Sequence, residues 1–160
     1  MLRVSKLTDY GTLVMSHMAG SPDRLFSVTE LAGTLRLNTP TVSKVLKALG
    51  RHNLVTSVRG TRGGYALARP AGTISVAEIV DALEEQPFGL TECSALSGTC
   101  DLESGCRIRA NWQRINTAVR GVLNGISLAD MMQPVPVAVR PSSIATRVAP
   151  RVIADKLKTQ

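Results

Sequence analysis

TPTVSKVLKALGRHNLVTSVRGTRGGYALARP, residues 39–70, decides the fold. Its first part keeps helical spacing. Val42, Val45, Leu46 and Leu49 share one face, which leaves Thr41, Ser43, Lys44, Lys47 and Arg51 on the outer one. Pro40 suits a first helical position, where its missing N–H does no harm, with Thr39 as the cap. The second part reads as two strands, LVTSV (54–58) and YALA (65–68), joined by RGTRGG (59–64). The glycines permit a tight turn, and Arg59 and Arg62 project from its tip.

Working outward, the spacing of Leu7, Tyr10, Val14 and Met18 predicts a helix over 6–19, stopped by Gly20-Ser21-Pro22-Asp23. His17 lies on that face and reads as a packed or partly exposed side chain rather than a ligand. SVTELAGTL opens a second helix, with Ser27 and Glu30 at capping-box spacing. Most helices with a polar outer face are merely solvated. Here the order is helix, helix, basic helix, basic hairpin, and that order predicts a winged helix-turn-helix. The third helix would enter the major groove of duplex DNA, and the wing arginines would reach phosphate or the minor groove. The candidate DNA contacts are Thr41, Ser43, Lys44, Lys47, Arg59 and Arg62, with Lys44 and Arg59 foremost.

Charge placement agrees. The chain of 160 residues carries +7 overall, but residues 1–70 alone hold ten Lys/Arg against three Asp/Glu. Residues 71–133 hold four against eight, and 134–160 hold five against one. A basic helical unit suits a polyanion partner. Aromatics are only 3% of the chain, so the core must be aliphatic. Lys6 and Asp9 interrupt the N-terminal apolar residues, and no run approaches the roughly 20 apolar residues of a membrane span. A cytoplasmic protein with no membrane partner is expected.

Ser75-x-x-Glu78 opens a fourth helix over 76–85, ended by Gln86-Pro87-Phe88-Gly89. The longest helical pattern follows at 107–125. Ile108, Trp112, Ile115, Val119, Val122 and Ile126 are spaced 4, 3, 4, 3, 4, a heptad seam nearly three repeats long. Such a stripe can face the core of its own subunit. The limited surface of the N-terminal unit favours a homodimer interface instead. A short helix at 128–132 caps the bundle, and the Pro- and cation-rich residues 133–160 read as an extended, disordered tail.

All three cysteines lie in ECSALSGTCDLESGCRIR (92–109), as Cys93-x6-Cys100-x5-Cys106. In a reducing compartment, clustered thiols point to metal or redox chemistry before disulfides. Zinc sites usually bring cysteines in close pairs. Gaps of six and five favour an iron–sulfur cluster, then a redox-thiol group, then structural zinc, and spacing alone leaves all three open. A zinc or thiol enzyme is the alternative of another class. Against it, the sequence holds no His/Glu pair, phosphate loop or nucleophile–base pattern, and His17 and His52 lie far from the cysteines.

KLTDYG (6–11), TPTVSKVLKAL (39–49), LVTSVRGTRGGYALARP (54–70), ISVAEIVDALE (74–84), the three-cysteine loop and NWQRINTAV (111–119) together resemble the iron–sulfur-sensing winged-helix regulators of the Rrf-two type. The resemblance spans about residues 1–132. KLTDYG and the Thr-Glu-Cys that opens the loop are most similar to the subgroup associated with suf cluster-assembly operons. With the residue patterns above, the expected chain is mainly α and divides into a winged helix-turn-helix domain (1–85), a cluster-binding loop (86–106), a dimerisation helix (107–132) and a tail (133–160) outside the resemblance. The resemblance implies a homodimer that controls transcription; the expected function is a repressor or dual regulator of cluster-assembly genes, with no small-molecule substrate. Nitric-oxide or redox sensing for stress genes is the alternative within the same family. The resemblance carries over Cys93, Cys100 and Cys106 as ligands. IscR-like members place a histidine three residues after the last cysteine, but Arg109 stands there, and a guanidinium does not ligate. NsrR-like members use an N-terminal aspartate of the partner subunit, and Asp9 matches it; Glu92, Asp101 and Glu103 compete by proximity in sequence. The suf and IscR resemblance leans to a 2Fe–2S cluster, and the aspartate leans to 4Fe–4S.

Overall fold

The computed structural model describes residues 4–60, 63–84 and 88–134. Arg62, the boundary at residue 85 and the tail from 135 onward therefore lie outside the described residues. The chain is mainly helical: α1 (Lys6–Ala19), α2 (Val28–Leu35), α3 (Thr39–Arg51), β1 (Val55–Val58), β2 (Gly64–Leu67), α4 (Val76–Leu83), α5 (Glu92–Ala95), α6 (Arg109–Gly125) and α7 (Leu128–Met131). Short 3-10 turns at Ala71–Thr73 and Glu103–Gly105 complete it.

Local chemistry sets most of these boundaries. Ser5 caps α1, its hydroxyl accepting from the Thr8 amide at 3.1 Å. Ser75 and Glu78 form the full reciprocal capping box of α4. Its Ser75 amide, with Arg69 beside it, holds the Glu78 carboxyl below the usual range against the opposing pull of burial. At α2 the box is only half made. The Ser27 hydroxyl accepts from the Glu30 amide at 3.1 Å, while the Glu30 carboxylate turns outward to Arg24. The cap of α3 is Asn38 rather than Thr39. Its Oδ1 accepts from the Thr41 amide at 2.8 Å, which moves Pro40 to the second helical residue, where an N–H is still not needed.

The core is the aliphatic one the composition required. Val14, Met15, Leu31, Val42, Val45, Leu46, Leu49, Ile74, Ile79 and Leu128 are fully buried, with Phe26 the one large aromatic among them. It sits where α1, α2, α3 and α4 meet under the β1–β2 hairpin, and α7 closes it from below α1. Burying a side chain of this kind is worth about 1.5–3 kcal/mol. α1 and α4 cross closely at Gly11, where an added Cβ would lie 2.2 Å from Leu83 Cδ1. His17 packs edge-on against Phe26, with ring centroids 5.4 Å apart.

Candidate nucleic-acid interface and cysteine loop

α2 and α3 form the helix-turn-helix, joined through Arg36 in the left-handed region (φ 54). The four inward residues of α3 are those the spacing named: Val42, Val45, Leu46 and Leu49. With that face committed, Lys44, Lys47 and Arg51 are exposed on the other side, and Thr41 and Ser43 are half-buried at its margin. The two hydroxyls sit lower on the surface than the lysines, so the cations lead any approach to a phosphate. Arg36 is an exposed cation in the turn before α3 that sequence reasoning passed over. Its signal was weak, since it falls off both helical stripes. Arg24 is basic too, but it is bound to Glu30 and stacked 5.0 Å over the Phe26 ring.

The wing is the expected antiparallel pair, with Val55 opposite Leu67 and Val58 opposite Gly64. Arg59 is exposed where the hairpin turns, followed by Gly60 at φ +119, a conformation open to glycine. The base of the wing is fixed by a third segment. The Phe26 amide donates to the Tyr65 carbonyl at 2.9 Å, and the Tyr65 amide donates back at 2.8 Å. The wing thus rides on the start of α2 and keeps its register to α3.

The cysteine loop is tied to α6 and to itself. Asn116 accepts the Leu90 amide at 3.3 Å and donates to the Ser94 carbonyl at 3.5 Å, which holds α5 against α6. Glu103 accepts the Gly98 amide at 2.6 Å and pairs with Arg109 at 2.5 Å, so one carboxylate joins the loop to the start of α6. Arg109, the residue in the histidine position, is therefore an anchor for Glu103, and its Nε is buried without a partner. Cys93 is buried in α5, with its Sγ 3.4 Å from the Thr91 hydroxyl. Cys100 and Cys106 are half-buried, and all three are free thiols. Cys106 lines an open hollow of about 360 Å³ with Asp101, Leu102, Ser104 and Gly105. Among the described residues, no three His, Cys, Asp or Glu side chains converge closely enough to hold a metal ion. Three soft sulfur donors on one glycine-containing loop suit iron–sulfide chemistry, but they are not drawn into one ligand set within this single chain. Asp9 lies apart on α1, exposed; its amide donates to the Ser5 carbonyl at 3.1 Å, and its carboxylate makes no hydrogen bond or ion pair among the described residues. Of its competitors, Glu103 is committed to Arg109 and Gly98, while Glu92 and Asp101 are exposed.

The sequence matches the Rrf2 family, described as iron-dependent transcriptional regulators, over residues 4–134. The chain belongs to this family. Its members are transcriptional regulators and not enzymes, which removes the zinc or thiol enzyme from consideration. Similar solved structures include IscR of T. potens, 29% identical with a TM-score of 0.60, covering 82% of this chain and 86% of that one. CymR of B. subtilis, described as the global cysteine regulator, is 27% identical with a TM-score of 0.63, over 82% and 97%. Staphylococcus aureus CymR is 28% identical with a TM-score of 0.61, over 82% and 99%. The chain is thus a DNA-binding transcriptional regulator with the winged helix-turn-helix fold of this family. Among its described residues no helix is long and apolar enough to cross a membrane.

Proposed function

We propose that this Rrf2 member acts as a homodimer and represses iron–sulfur assembly genes, sensing cluster supply through Cys93, Cys100 and Cys106. The observation that carries this reading is the placement of the thiols. Every cysteine of the chain sits in one loop, and that loop is tied by Asn116 and by Glu103–Arg109 to a helix whose apolar seam is left in solvent. Ile108, Ile115 and Val122 are 57%, 43% and 61% exposed, and an exposed stripe of this kind on a helix marks a partner surface. A second copy supplies a matching seam.

Cys93, Cys100 and Cys106 would hold an iron–sulfur cluster, which would supply a redox-sensitive, labile group. What the chain contributes is the grip and the readout. Its sulfurs bind, the Asn116 and Glu103 ties pass any change in loop shape to α6, and the outer face of α3 with Arg59 meets DNA. For the fourth ligand we propose Asp9 of the other subunit, on the grounds that it is exposed and unpaired while Glu103 is engaged. For the cluster we propose 2Fe–2S over 4Fe–4S, as the sequence resemblance to the suf-associated subgroup and IscR-like members implies.

The test is anaerobic purification followed by absorption and Mössbauer spectra of the wild type and Asp9→Ala. A coloured protein with sulfide-to-iron bands, and a changed iron site in Asp9→Ala, supports the assignment. A colourless protein whose thiols form reversible disulfides supports a second reading, a redox-thiol regulator of stress genes. One observation favours that alternative: the three thiols are free and unconverged.

A further inference from the structure

Among the described residues, two sets of hydrogen bonds join α6 to the DNA-binding part of its own chain. At its C-terminal end the chain folds back through backbone pairing. The Val76 amide donates to the Ile126 carbonyl at 2.8 Å, and the Leu128 amide donates to the Ile74 carbonyl at 2.8 Å. Leu128 then drops fully into the core. This pairing fixes where α6 leaves the domain.

The second attachment is a side-chain fork. Six residues up the helix, about 9 Å along its axis, Arg120 reaches across to α4. Its Nη1 donates to Oδ1 of Asp81 at 2.8 Å, and its Nη2 donates to Oδ2. Two parallel bonds between planar groups fix direction as well as distance. The carboxylate also holds the Arg120 guanidinium above its usual range. The two side chains are 33% and 39% exposed, so the pair adds little to stability. Its contribution is direction: α6 packs on α4 with no residue fully buried, and Val119 and Leu123 only half-buried. Further along, Asn116 binds the cysteine loop and not the winged domain.

We infer that the Asp81–Arg120 fork is a positioning pair that sets the angle between the winged domain and α6, and so selects the half-site spacing this regulator accepts on DNA. The inference rests on the homodimer reading. If α6 forms the dimer seam, each recognition helix is aimed by the join between its domain and that seam. From Ile126 back to Ile108 the helix runs about 27 Å. A tilt of about 10° across such an arm moves one end by about 5 Å, more than one base-pair step of about 3.4 Å. A loosened brace therefore blurs spacing before it abolishes binding.

Duplexes of about 30 base pairs, long enough for two half-sites a helical turn apart, are enriched by the wild-type protein from a random library. The half-site spacing of the winner is then changed by one and two base pairs. Asp81→Asn and Arg120→Lys are compared with the wild type, each checked by circular dichroism and by sedimentation. The wild type is expected to reject displaced spacings by about tenfold or more, on the scale of a mismatched site. Both variants are expected to stay dimeric and to lose most of that discrimination, with a smaller loss of affinity at the original spacing. Arg120→Lys keeps the charge and loses the fork, and it carries the test alone if Asp81→Asn fails to fold. A dimeric Arg120→Lys with wild-type spacing ratios overturns the inference. A wild type that sediments as a monomer, free and on DNA, overturns the homodimer reading instead.

Discussion

The winged domain and helix α6 are built on opposite plans. In the domain, α1 to α4 and the hairpin turn their apolar residues inward until Met15, Leu31, Leu46 and Leu49 are fully buried. α6 is longer than any of those helices, at 17 residues, yet none of its residues is buried, and its apolar seam faces solvent. The winged domain thus meets its folding requirements within one chain. The helix is folded, yet Ile108, Ile115 and Val122 stay exposed; on the homodimer proposal a second copy covers them. The cysteine loop lies between the two in sequence and is tied to α6 through Asn116 and Glu103–Arg109; on the proposed function, a change in the loop would act first on that helix.

That contrast can be broken most forcefully in the core. Leu46→Ala removes a fully buried side chain and should cost about 2–5 kcal/mol in urea denaturation. A cost near zero would mean that the winged domain is not the self-sufficient unit described here.

Function on the outside of the same domain gives the next largest effect. Arg59→Ala is expected to weaken binding to the enriched duplex by about 1–3 kcal/mol at fixed salt. Unchanged affinity in a titration would remove the wing from the interface.

A polar latch inside the winged domain comes next. Glu84 Oε1 accepts the Thr8 hydroxyl at 2.6 Å and the Ser5 amide at 3.0 Å, latching the end of α4 to the start of α1. Burial opposes its ionisation, but these donors outweigh it, and the carboxyl sits below its ordinary value. A depressed carboxyl contributes stability above its unfolded value near 4.5, and the contribution fades as pH falls through the lower folded value. Thr8→Val should cost about 1 kcal/mol at pH 7. The stability gap between wild type and Glu84→Gln should be widest near neutrality and close below about pH 4.5. A gap that widens on acidification would contradict the latch.

The smallest effect on folding is predicted on α6. Val122→Ala should change the stability of a dilute, monomeric sample by no more than about 0.5 kcal/mol. At higher concentration the same change should weaken self-association in sedimentation. An effect of core size on the dilute monomer would mean that α6 is packed after all.

Much of the winged domain was legible in the sequence because its signals are periodic and local. The stripe of α3 and the capping box at Ser75 and Glu78 stand as read, while α1 buries Val14 and Met18 as read but adds Thr8, Gly11 and Met15 and leaves Leu7 and Tyr10 half-buried. The Ser27–Glu30 box failed in one arm because Arg24, six residues before Glu30, offers a stronger partner for the carboxylate. Thr39 gave way to Asn38 because the amide oxygen reaches the Thr41 N–H. The joins were invisible. Asp81–Arg120, Glu84–Thr8 and Phe26–Tyr65 each link residues 39 or more positions apart, and such pairs leave no period to detect. The cysteine loop was legible as chemistry and not as shape, since spacing says which atoms can bind and says nothing of how three thiols are arranged before they do.

The central claim is that what the cysteine loop holds is felt by the winged domain. It is tested most directly by one anaerobic titration of the enriched duplex with cluster-loaded protein, cluster-stripped protein and the Cys93→Ser/Cys100→Ser/Cys106→Ser variant. The account predicts that the loaded form differs from the other two by about 5- to 150-fold, the usual range of allosteric coupling, and that stripped and triple-serine proteins bind alike. Identical affinities for all three would contradict it.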